Sequence, residues 1–328
     1  MVVMMMNFRV YLMRVNLDNN VVESSSSSSS SSCIKREAKV ISLGDEVDDI
    51  SQVFHCDGLL LCISITEAKT RLVVWNPYWG HTRSIEPTHQ FNKFDSYSYA
   101  LGYDKSSKSH KILRCITCLR PHFHEFIIYD FNSNSWRVFH VTPDWQLGTI
   151  NSGVSLKGNA FWVAEEKYYE TSETNEEFFL LSFDFTRETF GPLLPLPFQF
   201  VESEDALSVS NVRDEQLAVL YQPWDTLMME IWVTSKIEPN AVSWNSKVFL
   251  SVSIRKLIGP QFQFCLGSFF IDEEKKVAVV FDKGYRIQRY IAYIIGVDGS
   301  MKEVDLGESD RSCYPIVCSY VPSLVQLN

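Results

Sequence analysis

The chain has 328 residues, 45% of them hydrophobic, 13% aromatic and 21% charged, with a formal net charge of −10 at pH 7. It is too apolar for disorder and not glycine- or proline-rich enough for a fibre, and its length buries a core without disulfide or metal staples. The acidic balance excludes a binder that tracks phosphates with a basic face, and no stretch approaches the roughly 20 apolar residues of a membrane span, so neither nucleic acid nor membrane is expected as a partner.

In chain order, the apolar start Met1–Val15 is interrupted by Arg9 and Arg14, with no basic region before it and no small-residue cleavage site after it. It therefore does not read as a signal peptide. The strand-like run Phe8–Leu17 is followed by nine serines, Ser24–Ser32, which predict a flexible loop over residues 23–35. A second strand-like run, Ala38–Leu43, follows it. From there short β-rich runs alternate with turn chemistry. The runs are Leu59–Ile65, Arg71–Trp75, Lys111–Cys118, Glu125–Tyr129, Phe161–Ala164, Phe178–Phe183, Gln216–Tyr221, Met229–Thr234, Lys276–Phe281 and Arg289–Ile295. Val, Ile, Phe, Tyr and Trp dominate them, and no long segment keeps a 3.6-residue period, so the fold class is all-β.

Tyr129-Asp-Phe-Asn-Ser-Asn-Ser-Trp136 aligns with Phe183-Asp-Phe-Thr-Arg-Glu-Thr-Phe190, Asp130 and Asp184 lying 54 residues apart. Each predicts a hairpin in which a strand ends at the Asp, whose carboxylate caps the turn amides. Trp75-Asn-Pro-Tyr-Trp-Gly-His-Thr-Arg83 is a variant of it. Further turns at Cys56-Asp-Gly58, Gly102-Tyr-Asp104, Lys157-Gly-Asn159, Asn211-Val-Arg-Asp214 and Ile271-Asp-Glu-Glu274 recur at the spacing of propeller blades. Five units span about residues 52 to 307, and strands at the two ends, Phe8–Leu43 and Pro315–Val325, are left over. A ring closes when both ends share its last blade, so the expectation is a six-bladed β-propeller in one domain over residues 1–328. A pair of packed β-sandwiches is the alternative architecture.

Catalytic and metal chemistry is weakly signalled. Cys115-Ile-Thr-Cys118 lacks the second pair a zinc ribbon needs, and the eight scattered cysteines read as reduced core thiols. His122-Phe-His124 lacks an evident third ligand and reads as a solvated loop, as do the carboxylate pairs Glu165-Glu166, Glu176-Glu177 and Glu273-Glu274. No phosphate loop or nucleophile elbow is present, so no enzyme activity, cofactor or metal is expected. Aromatics among polar loop residues are the better prospect for partner contact: Trp79, Phe94, Trp145, Tyr168, Tyr169 and Trp224. Buried thiols and the lack of Asn-x-Ser/Thr sequons fit a cytoplasmic or nuclear location.

The joint run of motifs carries a resemblance. Phe54-His-Cys-Asp-Gly-Leu-Leu-Leu-Cys62, Leu72-Val-Val-Trp-Asn-Pro77, Tyr99-Ala-Leu-Gly-Tyr-Asp104, Lys111-Ile-Leu-Arg114, Gly191-Pro-Leu-Leu-Pro-Leu-Pro197 and Glu230-Ile-Trp-Val-Thr234 resemble the plant F-box-associated interaction domain over nearly the whole chain. The resemblance implies a kelch-like propeller that acts as substrate receptor of a Skp–cullin–F-box ubiquitin ligase, with the Skp adaptor and cullin as partners. The chain opens directly in strand-like sequence at Val10-Tyr-Leu-Met13, so the helical F-box is expected to be absent and the target-binding role retained. An F-box-free regulator of the same targets and a glycan-binding propeller remain as alternatives.

Overall fold

The computed structural model describes residues 1–17, 33–39, 50–65, 70–88, 92, 95–119, 122–147, 153–166, 178–199, 205–259, 264, 267–283, 288–309 and 314–327. Three strands open the chain: β1 (Val2–Met6), β2 (Arg9–Val15) and β3 (Ile34–Lys39). Blade one follows as β4 (Ile50–Cys56), β5 (Leu59–Ile65), β6 (Thr70–Asn76) and β7 (His81–Ile85), and blade two as β8 (Asp95–Asp104), β9 (Ser109–Leu119), β10 (His122–Asp130) and β11 (Ser135–Phe139). Blade three comprises β12 (Trp145–Leu147), β13 (Val154–Leu156), β14 (Asn159–Glu166), β15 (Phe178–Asp184), β16 (Thr189–Phe190) and β17 (Leu194–Pro195). In it β12 and β13 pair along one edge of β14, and β16 and β17 along the far edge of β15. Blade four is β18 (Ala206–Val212), β19 (Gln216–Gln222), β20 (Met228–Glu238), β21 (Ala241–Trp244) and β22 (Leu250–Ser253), followed by one helical turn, α1 (Ile254–Leu257). Blade five is β23 (Ser268–Asp272), β24 (Val277–Lys283), β25 (Arg289–Gly296) and β26 (Met301–Glu308), and the last strand is β27 (Ile316–Ser319).

The sixth blade is made from both ends, in the order β27-β1-β2-β3. Val2 pairs with Ser319 and Met5 with Ile316 in antiparallel register, and Tyr320 N–H donates to the Met1 carbonyl (3.2 Å). The ring is thus closed as the sequence predicts, and the sandwich alternative falls. The first strand differs from expectation. The run taken as one strand from Phe8 is preceded by β1, and Asn7-Phe8, both at positive φ (48° and 58°), forms the tight turn between β1 and β2. Asparagine adopts this conformation readily and phenylalanine does not, which hid the hairpin in the sequence. The serine run lies outside the described residues, but Ile34 and Lys35, assigned to the flexible loop over residues 23–35, belong to β3.

The continuous apolar runs lie mostly in the second and third strands of each blade, which are packed on both faces between neighbouring blades. Leu59–Ile63, Leu217–Leu220 and Val277–Phe281 are buried without alternation, as sheets covered on both sides require. The outermost strands alternate or are polar, as in His81–Ile85 and Ser135–Phe139. The 54-residue repeat is the blade repeat itself. Tyr129 pairs with Trp136 and Phe183 with Phe190 across equivalent hairpins. Asp130 Oδ1 accepts from Asn132 N–H (2.8 Å), and Asp184 Oδ1 accepts from Thr186 and Arg187 N–H (2.9 and 3.0 Å). Asn76 Oδ1 performs the same service for Tyr78 N–H (2.9 Å). One turn moves: Gly102–Asp104 completes β8, and the chain reverses over residues 105–108, where Asp104 Oδ1 accepts from Ser106 and Ser107.

Candidate partner-binding face

Antiparallel order divides the connections between two faces. In each of blades one to five, the turn from first to second strand and the turn from third to fourth open on the same side, here the tight-turn face. The remaining connections, including every crossover to the next blade, open on the other side. The chain end leaves β27 on the tight-turn face and forms a strap over blade one. There Asn76 Nδ2 donates to the carbonyls of Ser323 (3.1 Å) and Val325 (2.7 Å). Gly58, at φ +76°, fits closely beneath it: a Cβ at that position would lie 2.2 Å from Ser323 Cβ. Val325 and Leu327 turn inward against the core between blades one and two, while Val321 and Leu324 stay in solvent, Leu324 being 70% exposed.

Trp79 and its neighbour Tyr78 stand beside this strap on the β6–β7 turn. Their rings meet edge-on (centroids 5.2 Å apart), and Trp79 is 43% exposed. Tyr78, Trp79, Val321 and Leu324 thus give the tight-turn face exposed apolar groups on hydrogen-bonded backbone. Further round the same face a groove of about 600 Å³ between blades three and four is lined by Lys105, Lys157, Lys236, Glu215 and Glu238. The axis carries a cavity of about 220 Å³ bounded by the inner strands, with Gln52, Phe54, Val154, Val209, Asn211 and Val317 on its wall.

Among the described residues, the predicted contact residues Trp79, Trp145 and Trp224 do not converge. Trp224, 54% exposed, sits in the β19–β20 turn on the opposite face, held by the Asp205 carboxylate, which accepts from Trp224 N–H (3.2 Å) and the Tyr221 hydroxyl (3.0 Å). Trp145 is a correction: expected in a loop, it begins β12 and is 6% exposed, packed against Phe126 and Phe190 (centroids 6.0 and 4.7 Å). Its burial follows from the aromatic core of blades two and three, which lacks a wall without it. Phe94, Tyr168 and Tyr169 lie outside the described residues. Two loop readings also change. His124 stands in β10, its Nδ1 3.1 Å from Thr117 Oγ1, and Glu165 is buried on β14 and bonded to the Gln146 amide. The exposed Val321 and Leu324 escaped sequence reasoning because Pro315–Val325 reads as one strand, whereas β27 ends at Ser319; Tyr78 lies in the same turn as Trp79, which alone of the two was singled out.

Charge stiffens the tight-turn face. The buried Lys111 ammonium donates to Asp104 (2.6 Å) in its own blade and to Glu188 (2.7 Å) in blade three, and Arg137 also bonds Glu188. Burial pushes the Asp104 carboxyl up, but hydrogen bonds from Lys111, Ser106 and Ser107 outweigh it and hold the group well below the usual carboxylate range. Burial pushes the His55 and His110 imidazoles down to about 4, with the Asp214 charge pulling His55 the other way. Burial and the charges of Asp57 and Asp214 push the Cys56 thiol well up. Cys33, Cys56, Cys62, Cys115 and Cys318 are free thiols.

Known proteins place this architecture. The family described as the F-box associated beta propeller domain matches residues 1–327. The Arabidopsis thaliana F-box protein At3g19470 is 77% identical over 330 residues, covering 100% of this chain and 85% of that protein. The Arabidopsis thaliana F-box/kelch-repeat protein At3g16740 is 50% identical over 347 residues, covering 99% of this chain and 84% of that one. With its six blades, its capped hairpins and this match along its length, the chain belongs to the F-box associated β-propeller family.

Proposed function

We propose that the ring is the target-holding part of a Skp–cullin–F-box ubiquitin ligase, and that it works by binding rather than by catalysis. Kinship with proteins named as F-box proteins supports the ligase setting, in which the Skp adaptor and cullin are the other partners. The observation that carries the choice of surface is the exposed group Tyr78, Trp79, Val321 and Leu324 on turns and a strap pinned by hydrogen bonds. Rigid aromatic anchors give large contact area at small entropic loss, the usual composition of binding hot spots. Free buried thiols favour a reducing compartment, the cytosol or nucleus, as the place of work.

Affinity purification of the chain from plant cells tests the surface. A Tyr78→Ser/Trp79→Ser/Leu324→Ser variant should recover at least about tenfold less of the proteins captured by the parent, since each lost anchor weakens a hot spot by ~2 kcal/mol. Trp224→Ser should recover them undiminished. The reverse pattern would move binding to the opposite face, and no loss in either variant would defeat the reading. A second assay separates receptor from ligase docking. Purified Skp adaptor should bypass these 328 residues, and its capture by the ring alone would contradict an adaptor contact made only through an F-box.

A further inference from the structure

Packing of blade one on blade two brings a distant histidine, His110, to the adjacent metal-ligating side chains of Cys56 and Asp57. Cys56 ends β4, Asp57 opens the β4–β5 turn at φ 48°, and His110 stands at the start of β9. One donor atom from each, Cys56 Sγ, an Asp57 carboxylate oxygen and a His110 ring nitrogen, lies within 4.8 Å of the other two. His110 Nε2 is 3.8 Å from Asp57 Oδ2. We propose that this constellation, at the tight-turn mouth of the ring, binds a divalent cation of the zinc class through Cys56, Asp57 and His110, with a fourth position open to solvent or to a bound partner.

The histidine supplies the observation beyond mere clustering. His110 is 5% exposed, and no hydrogen-bond partner meets its buried Nε2. Tyr103 and Phe131 contact the imidazole edge-on (5.0 and 6.3 Å), which fixes the ring. A buried polar atom is normally satisfied, and an imidazole nitrogen facing a carboxylate and a thiol is satisfied by a shared cation. His55 is not part of the set, because its Nε2 accepts from Gly58 N–H (3.1 Å).

Sulfur, oxygen and nitrogen donors together suit zinc, whose bonds of about 2.0–2.3 Å separate tetrahedral ligands by roughly 3.5 Å. Asp57 and His110 already stand 3.8 Å apart, and drawing three donors that lie within 4.8 Å of one another to that spacing requires shifts of about 1 Å. The surroundings attract positive charge. Asp214 in the facing β18–β19 turn bears electrostatically on both Cys56 and Asp57, and Lys105 is the cation acting on Asp57. Coordination would displace the thiol proton of Cys56 to solvent as the sulfur–metal bond forms, and the ion would then clasp the first turn of blade one to blade two.

The whole chain, stripped with chelator, is titrated with cobalt(II) and then zinc(II). One cobalt per chain with a thiolate-to-cobalt charge-transfer band, displaced by zinc, is expected. Cys56→Ser should abolish the band, Asp57→Asn and His110→Gln should each weaken binding at least about tenfold, and Cys33→Ser should change neither. Substoichiometric binding, or a band that survives Cys56→Ser, overturns the site. Should a variant fail to fold by circular dichroism, the parent protein still decides. Zinc titration in weak buffer at neutral pH should release close to one proton per ion, and binding without proton release contradicts thiolate ligation.

Discussion

Lys111 is 5% exposed and reaches two carboxylates, Asp104 in its own blade and Glu188 in blade three, so the second of these contacts lasts only while the blades stay docked. Breaking a buried pair by removing one partner strands the other, at about 3–5 kcal/mol. Lys111→Met should therefore lower stability by that amount in denaturant titration, and adding Asp104→Asn should recover part of it; a double variant no more stable than the single would show that Asp104 is not the stranded group. The same carboxyl sets an acid limit. Asp104 is held below its ordinary value of 3.8 in the folded chain, so its contribution is complete above that pH and is lost as pH falls below it. Asp104→Asn should flatten the stability profile below pH 3.8. Gly58 makes a steric point. An alanine there faces both a positive φ, costing about 1 kcal/mol, and Ser323 Cβ at 2.2 Å. Gly58→Ala should loosen the strap, read as faster proteolytic cleavage beyond Tyr320, and unchanged cleavage would mean that the strap does not rest on this turn.

Turns and strands differ in how plainly they were written. The Asp130 and Asp184 hairpins were legible because the chemistry is local: a carboxylate two or three residues before the amides it caps. Asp184→Ala should cost about 1 kcal/mol by thermal melting, and a cost near zero would reduce that cap to decoration. The second strands, such as Leu59–Ile65 and Gln216–Gln222, were legible because burial on both faces demands unbroken apolar runs. The inner strand β13 has three residues, Val154–Leu156, and carries no such pattern, and β1 was masked by a hairpin turn bearing a phenylalanine at positive φ. The contact face was half legible. Trp79 could be picked out as an aromatic among turn residues, but Leu324 reads as strand, and Trp145 reads as loop until the aromatic packing around Phe190 is known. The Cys56–Asp57–His110 group was beyond reach, since only the docking of two blades brings His110 to Asp57.

Closure of the ring governs everything that depends on a rigid face. β27 is the innermost strand of blade six, although its sequence neighbours belong to blade five, and it is held by β1 from the opposite end of the chain. The strap that presents Val321 and Leu324 continues directly from it, so the proposed partner surface exists only if the two ends are joined. Hydrogen exchange followed by mass spectrometry under increasing denaturant tests this directly. Peptides covering Val2–Met6 and Ile316–Ser319 should be protected alike and should open together with the inner strands Ile50–Cys56 and Ser268–Asp272. A C-terminal peptide that exchanges freely while the blades remain protected would contradict a ring sealed by its own ends.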